Sequence, residues 1–257
     1  MSQNLLFEKP DFVKLSKENA LVDMHFHTQY SDDCKTKMSD VFKRAKELGV
    51  GVAITDHNAI SGSLLACKKK GLFAIPGIEV TSKNDKDILL YFYSAGDLKN
   101  FYEKNILKKI RKHKKFRFNK TKLSVQEILS IAKDYNAISS LAHPFTIYPK
   151  KSFYYFNNKK RSDLINDLVA IEVLNAARKR KGNLASYGWA MSAKKSITGG
   201  SDGHRLKWLG NAVTCCKAES VEEFLESIRN KKNFVIGKES TVASKFISGL
   251  YIVKNKI

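Results

Sequence analysis

Apolar and polar positions along the chain change period repeatedly, dividing it into alternating strand-like and helix-like segments. Short apolar runs at 20–26, 50–55, 73–80, 88–93, 137–142, 169–174 and 196–200 read as strands, with 212–216 as one more short strand. The run at 73–80 is interrupted by Pro76-Gly77. Helical spacing marks 38–48, where Val41, Ala45 and Leu48 share a face, Ser39 serves as a cap and Gly49 as a stop. Further helices are expected at 61–70 (ending at Gly71), 99–115, 125–135 (capped by Ser124), 183–194 and 221–230. Strands separated by helices predict a parallel α/β architecture. No Gly/Ser/Pro-rich linker divides the chain, so one barrel-like domain over 20–237 is favoured over two. Residues 1–19 read as a polar lead-in, 144–162 as a lid insertion rich in aromatics and lysines, and 238–257 as a tail.

Composition narrows this picture. With 257 residues, 43% of them hydrophobic, the chain can bury a substantial core. No run of about 18 apolar residues predicts a transmembrane helix, and the first residues lack the apolar stretch of a signal peptide. Four cysteines form no C-x-x-C pair, and Cys215 and Cys216 are adjacent. That spacing suits neither a disulfide framework nor a zinc ribbon, and reads as buried or half-buried thiols in a reducing cytoplasm. Cys34 alone is weak evidence for a nucleophile. The net charge of +21 attracts polyanions, nucleic acid first and small phosphorylated substrates next. Lysine far outnumbers arginine, however, and genomic base bias alone can produce that.

Chemistry gathers where predicted strands end. The first strand ends in His25-Phe26-His27, whose alternate residues point to one face, and Asp32 follows in the loop. The second ends in Thr55-Asp56-His57, the third runs through Glu79, the fifth into His143, and the seventh into Asp202-Gly203-His204. Five of the six histidines therefore sit at or beyond strand C-termini, which in a parallel barrel share one face. One such histidine is more often a structural hydrogen bonder than a ligand. Five, beside Asp32, Glu79 and Asp202, make an imidazole- and carboxylate-rich set suited to Zn, Mn or Fe. The candidate ligands His25, His27, Asp32, His57, Glu79, His143, Asp202 and His204 outnumber what one tetrahedral ion needs. A cluster is implied, in which Glu79 or Asp202 bridges ions about 3.5–4 Å apart. Phosphoester hydrolysis fits such a centre, with amide or C–N hydrolysis as the alternative within the same chemistry. Asp23 and Asp56 are placed behind the ligands, where each could fix the tautomer of a metal-bound histidine.

The segments Asp23-Met24-His25-Phe26-His27-Thr28, Ser31-Asp32, Thr55-Asp56-His57-Asn58, Gly77-Ile78-Glu79, Ala142-His143-Pro144 and Gly200-Ser201-Asp202-Gly203-His204 resemble the motifs of the PHP (polymerase and histidinol phosphatase) family. They occur in the family's order and span about residues 20–237. The resemblance implies a distorted seven-stranded (β/α)7 barrel, usually with a trinuclear metal centre. By that analogy His25, His27, Glu79 and Asp202 surround one ion, Asp32, His57 and His204 another, and Glu79 and His143 help to hold the third. One departure stands out: members commonly place a histidine near the fourth strand, and here 84–91 offers none. Either Asp87 substitutes or the third site is weak or empty, so two or three divalent ions (Mn, Zn or Fe) are expected.

The family implies a phosphoric ester hydrolase in which metal-held hydroxide attacks phosphorus, its substrates running from histidinol phosphate to nucleoside bisphosphates and short oligonucleotides. No polymerase-like region accompanies the motifs. A nucleotide or short oligonucleotide is the leading substrate, a small phosphomonoester such as histidinol phosphate the runner-up, and a non-catalytic nucleic-acid-binding metal module the rival of another class. Arg178 and Arg205 are candidate phosphate clamps, each weighed against an ordinary solvated arginine. The basic stretch 104–122 is expected to be largely solvated, with His113 a surface residue. Aromatics interleaved with lysines at 145–161 either pack on the barrel rim or stack a base. Oligomeric state is not encoded in any of these features.

Overall fold

The computed structural model describes residues 4–111, 119–146, 151–158 and 161–239. Its centre is a strongly curled sheet of ten strands among the described residues. In chain order these are β1 (Leu5–Leu6), β2 (Ala20–Phe26), β3 (Gly51–Ile54), β4 (Ala74–Thr81), β5 (Asp87–Tyr91), β6 (Ile138–Leu141), β7 (Ala170–Asn175), β8 (Ser196–Gly200), β9 (Ala212–Cys216) and β10 (Phe234–Gly237). Their spatial order is β1-β10-β9-β2-β3-β4-β5-β6-β7-β8. The end of β8 returns to the end of β2, where Asp202 N donates to His25 O at 2.7 Å and His27 N to Gly203 O at 3.1 Å. That contact curls the sheet into a barrel-like shape. Gly199-Gly200 permits it: a Cβ on Gly200 would collide with the His25 backbone, and one on Gly199 with Val235.

All eight expected strands are present, but they are not all parallel. The sheet is mixed, because β5 runs antiparallel to both β4 and β6, and β9 antiparallel to β2 and β10. Only 82–86 joins β4 to β5, a reach that suits a hairpin and cannot carry a parallel crossover. Pro76-Gly77 does not interrupt β4. It marks a change of partner: residues 74–76 pair with β3 and 77–81 with β5, so proline's missing N–H breaks no ladder. In the stretch read as a polar lead-in, Leu5–Leu6 pairs with Val235 and Ile236.

Helices cover the outside of the curl. Met38–Leu48 buries Met38, Val41 and Ala45 and stops at Gly49, whose φ of 66° is a left-handed cap. Ser39 caps nothing there; the N-cap is Lys37. Val125–Asp134 starts with a reciprocal capping box between Ser124 and Glu127 and buries Val125, Ile128, Leu129 and Ala132. The basic helix expected at 99–115 is instead helical from Ala95 to Lys109, through a π turn and a 3-10 turn. Ile110–Arg111 then pairs with Lys120–Thr121 as a two-stranded ribbon. The seven residues between Arg111 and Asn119, His113 among them, lie outside the described residues, as do Tyr148 and all of the tail from 240 on. All four cysteines are free; Cys34, Cys215 and Cys216 are buried and Cys67 half-buried. No helix among the described residues is long and apolar enough to cross a membrane.

Candidate metal centre

Strand alternation brings His25 and His27 to the inside of the curl at the end of β2, both fully buried. Their Nε2 atoms lie 3.1 Å apart. Glu79 Oε2, from β4, is 3.3 Å from His25 Nε2 and 3.4 Å from that of His27. Asp202 Oδ1, just past β8, is 3.6 and 3.4 Å from the same two atoms. The other imidazoles close around this pair: ring centroids are 4.8 Å apart for His27 and His57, 4.3 Å for His27 and His204, and 5.9 Å for His25 and His143. His57 Nδ1 reaches Glu79 Oε2 at 3.1 Å, and His143 Nε2 reaches Glu79 Oε1 at 3.4 Å. Glu79 therefore touches four of the five histidines.

Ligand atoms converge in three overlapping groups: His27, Asp33, His57 and His204; His25, His27 and Asp202; and His57, Glu79 and Asp87. The donors suit a cation. Two ligands about 2.1 Å from one ion, at 90–110° to each other, stand about 3.0–3.4 Å apart, and the His25–His27 separation falls in that range. His25 Nδ1 faces Glu172 Oε1 at 2.8 Å and so carries the donated proton, leaving the Nε2 lone pair aimed at carboxylates. The buried Nδ1 atoms of His27 and His143 find no hydrogen-bond partner among the described residues. Without a cation, protons must balance the charge. Burial pushes His25 down, but Glu172, Glu79 and Asp202 outweigh it and hold its pKa well above the usual value. Burial opposes the charge of Glu79 and Asp202 too, yet the imidazoles around them hold both carboxyls well below the ordinary range. His204, which burial alone would lower, is raised to about 9 by Asp33.

Seven of the eight expected ligands meet here, and one does not. Asp32 is exposed and accepts from Asn119 Nδ2 at 2.6 Å. Its neighbour Asp33 turns inward, with Oδ2 2.8 Å from His204 Nε2 and 3.8 Å from His57 Nε2. The turns Ser31 N→Thr28 O and Cys34 N→Ser31 O shape this loop, and Ser31 Oγ donates to Asp33 Oδ1 at 2.8 Å. Asp33 replaces Asp32 in the candidate set.

Asp23 and Asp56 also act differently from the expectation. Asp23 accepts backbone amides of His25, Ser201 and Gly210, and Asp56 takes both N–H and hydroxyl of Thr28. Neither orients an imidazole; they pin the loops that carry ligands. Burial pushes each carboxyl up to about 6 against those hydrogen bonds. The imidazole-orienting carboxylate is Glu172 on β7. Besides His25 it accepts from His143 N at 2.7 Å and Asn175 Nδ2 at 2.9 Å. The sequence signal existed, since Glu172 is a charge inside an apolar strand, but it had no motif around it. Asp87 was noticed only as a substitute, and an antiparallel β5 explains its place: the start of that strand lies where its neighbours end. His143 and Asp202 hold left-handed φ values of 29° and 49°, the kind of backbone strain that persists where surrounding structure imposes it.

Replacing Glu172 with glutamine is expected to weaken metal binding about 10–100-fold while turnover at saturating metal falls much less. Metal titrations followed by kinetics at high metal check this; unchanged affinity would mean that His25 is oriented by something else.

A cleft of about 910 Å³ opens from the Asp33–Asp202–His204 side of the centre, with Tyr30, Lys35, Arg178 and Arg205 on its walls. Arg178 Nη2 donates to Asp202 Oδ2 at 3.0 Å. At the other side, Phe145 stacks on Phe153 at 4.7 Å, and both meet Trp189 edge-on. These aromatics pack on the rim. Tyr154, two-thirds exposed with Lys151 Nζ 4.5 Å from its ring centre, is the exception.

Comparison with known proteins agrees with this geometry. The profile of the PHP domain family matches residues 23–236. An uncharacterized protein of Methanocaldococcus jannaschii is 23% identical over 230 residues, 86% of this chain and 84% of that one. PsfC from Pseudomonas syringae superposes with a TM-score of 0.66 at 14% identity, covering 92% of this chain and 99% of that one. The lesion-specific endonuclease PfuEndoQ from Pyrococcus furiosus gives 0.63 at 20% identity, over 82% of this chain and 56% of that one. Endonuclease Q is also known in complex with a 27-mer duplex carrying an abasic lesion at its active site.

Proposed function

The chain belongs to the PHP domain family, and from that premise we propose that it is a metal-dependent phosphoesterase acting on nucleotides or short oligonucleotides. The observation that carries the reading is the triple convergence of imidazole and carboxylate groups, whose Asp33–Asp202–His204 side opens into a cleft lined by Lys35, Arg178 and Arg205. His25, His27, Asp33, His57, Glu79, Asp87, His143, Asp202 and His204 would hold the ions. Divalent ions held there would acidify water at neutral pH and offset charge on the phosphoryl oxygens.

The chain's own groups do the rest. Arg178 lines the cleft where it meets the centre, with Nη2 donating to Asp202 Oδ2, and from there its guanidinium charge would attract a phosphate. Arg205 and Lys35 line the walls along which a nucleotide beyond the reacting phosphate would lie. Glu172 keeps the His25 proton on Nδ1, away from the reaction. A cleft of this volume takes a nucleotide or two comfortably, whereas histidinol phosphate would leave much of it to water. The net charge of +21 and the likeness to a DNA-cutting fold favour the same substrate class. A cytoplasmic location belongs to the same reading.

The test is a panel of phosphoesters with Mn²⁺ supplied: histidinol phosphate, nucleoside bisphosphates and short 5′-phosphorylated oligonucleotides. Turnover is expected on the nucleotide substrates, with kcat/KM for oligonucleotides falling steeply as salt rises and that for monomers much less. Hydrolysis of histidinol phosphate alone would overturn the substrate class. Tight nucleic-acid binding with no turnover on any ester would overturn the enzyme.

A further inference from the structure

The three ligand groups differ in donor chemistry. One offers three imidazoles and a single carboxylate, Asp33; the second offers two imidazoles and Asp202; the third reverses the balance, with Glu79 and Asp87 as carboxylates and His57 as the imidazole. His143 stands beside the third group, its Nε2 3.4 Å from Glu79 Oε1 and 3.9 Å from Asp87 Oδ2. Asp87 is buried, and it reaches the centre because β5, antiparallel to β4 and β6, enters the curl with its first residue at the mouth. Imidazole-rich positions suit Zn²⁺, while carboxylate oxygens and water suit harder ions such as Mn²⁺ and Mg²⁺.

We propose that the position formed by Glu79, Asp87 and His143, with His57 beside them, selects a hard divalent ion such as Mn²⁺ over Zn²⁺, so that the centre is heterometallic. The inference rests on the metal-centre reading above and adds to it the choice of ion at one position. Asp87 is the residue that determines the choice: a histidine there would give this position the donor balance of its neighbours. Zn²⁺ fills the two imidazole-rich positions, and the third remains for Mn²⁺.

The test strips the full-length protein of metal, titrates it with Zn²⁺ and then with Mn²⁺. Bound Zn²⁺ is counted by mass spectrometry and bound Mn²⁺ by electron paramagnetic resonance. Wild type is expected to hold two Zn²⁺ and then one Mn²⁺. Asp87→Asn should keep the two Zn²⁺ and lose about tenfold or more in Mn²⁺ affinity, a direct ligand counting for at least as much as one that only orients. Asp87→His should take a third Zn²⁺ and exclude Mn²⁺. Three Zn²⁺ in wild type with no Mn²⁺ taken up, or Mn²⁺ binding unchanged in Asp87→Asn, would overturn the selectivity while leaving the metal centre intact. No Zn²⁺ bound at all would overturn the centre itself. The wild-type count stands without either variant, so misfolding of one, visible by circular dichroism, does not blunt the test.

Discussion

Glu79→Ala is expected to reduce phosphoester turnover to background and to lower the number of ions bound, a loss beyond the 10–100-fold typical of a group that only orients a ligand. The reason is position. Glu79 Oε2 lies within 3.4 Å of His25, His27 and His57, and Oε1 lies 3.4 Å from His143. Removing it leaves four buried imidazoles without their shared anion, and it takes a carboxylate from the group that Glu79 forms with His57 and Asp87. In metal-free protein the same change removes one of the charges that keep His25 protonated, so that imidazole reverts toward the neutral form burial favours. Activity with Mn²⁺ and the metal count after gel filtration are the readouts. Glu79→Gln separates charge from volume. If Glu79→Gln turned over at the wild-type rate with its ions retained, Glu79 would be a packing residue and the bridging role would be wrong.

How much of this was legible beforehand depended on what each residue's neighbours in sequence could say. Strand-end histidines announce themselves as a set: one alone is more often a structural hydrogen bonder, but five at successive strand ends point to a shared site. That reading expects His25, His27, His57, His143 and His204 in one place, and the structure brings them together; β8 and β9 span the expected residues. Glu172 was not found: its role depends on β7 lying within reach of β2 across the barrel interior, which no local pattern states. The direction of β5 was missed for a related reason, since apolar runs look alike parallel and antiparallel. Only the five-residue connection after β4 could have given it away. The helix at 99–115 was misread because lysines tolerate many conformations, and its charges gave no period with which to detect the ribbon at Ile110–Arg111.

Adjacent acids on one loop offer the sharpest contrast between the two levels of reading. Asp33→Asn is expected to lower metal affinity and turnover by at least about a hundredfold, and Asp32→Asn to change either by no more than about threefold. Both residues follow the His25-x-His27 motif, and the family resemblance of Ser31-Asp32 pointed to Asp32. The loop decides otherwise. Ser31 Oγ holds Asp33 Oδ1 at 2.8 Å and donates nothing to Asp32, while His57 N approaches the same Ser31 Oγ at 3.3 Å. One serine thus ties the inward acid to the strand end that bears His57. Asp33, largely buried beside the cleft, is held ionised against desolvation by His204, with His57 and His27 adding to the effect. Its loss would leave His204 without the partner that raises it to about 9. Asp32 loses only an exposed hydrogen bond to Asn119, worth about 1 kcal/mol at most in that setting. Parallel metal titrations and initial rates on the two variants decide the matter. Equal losses from both would mean that the loop re-forms around either acid; a larger loss from Asp32→Asn would restore the motif-based assignment and remove Asp33 from the centre.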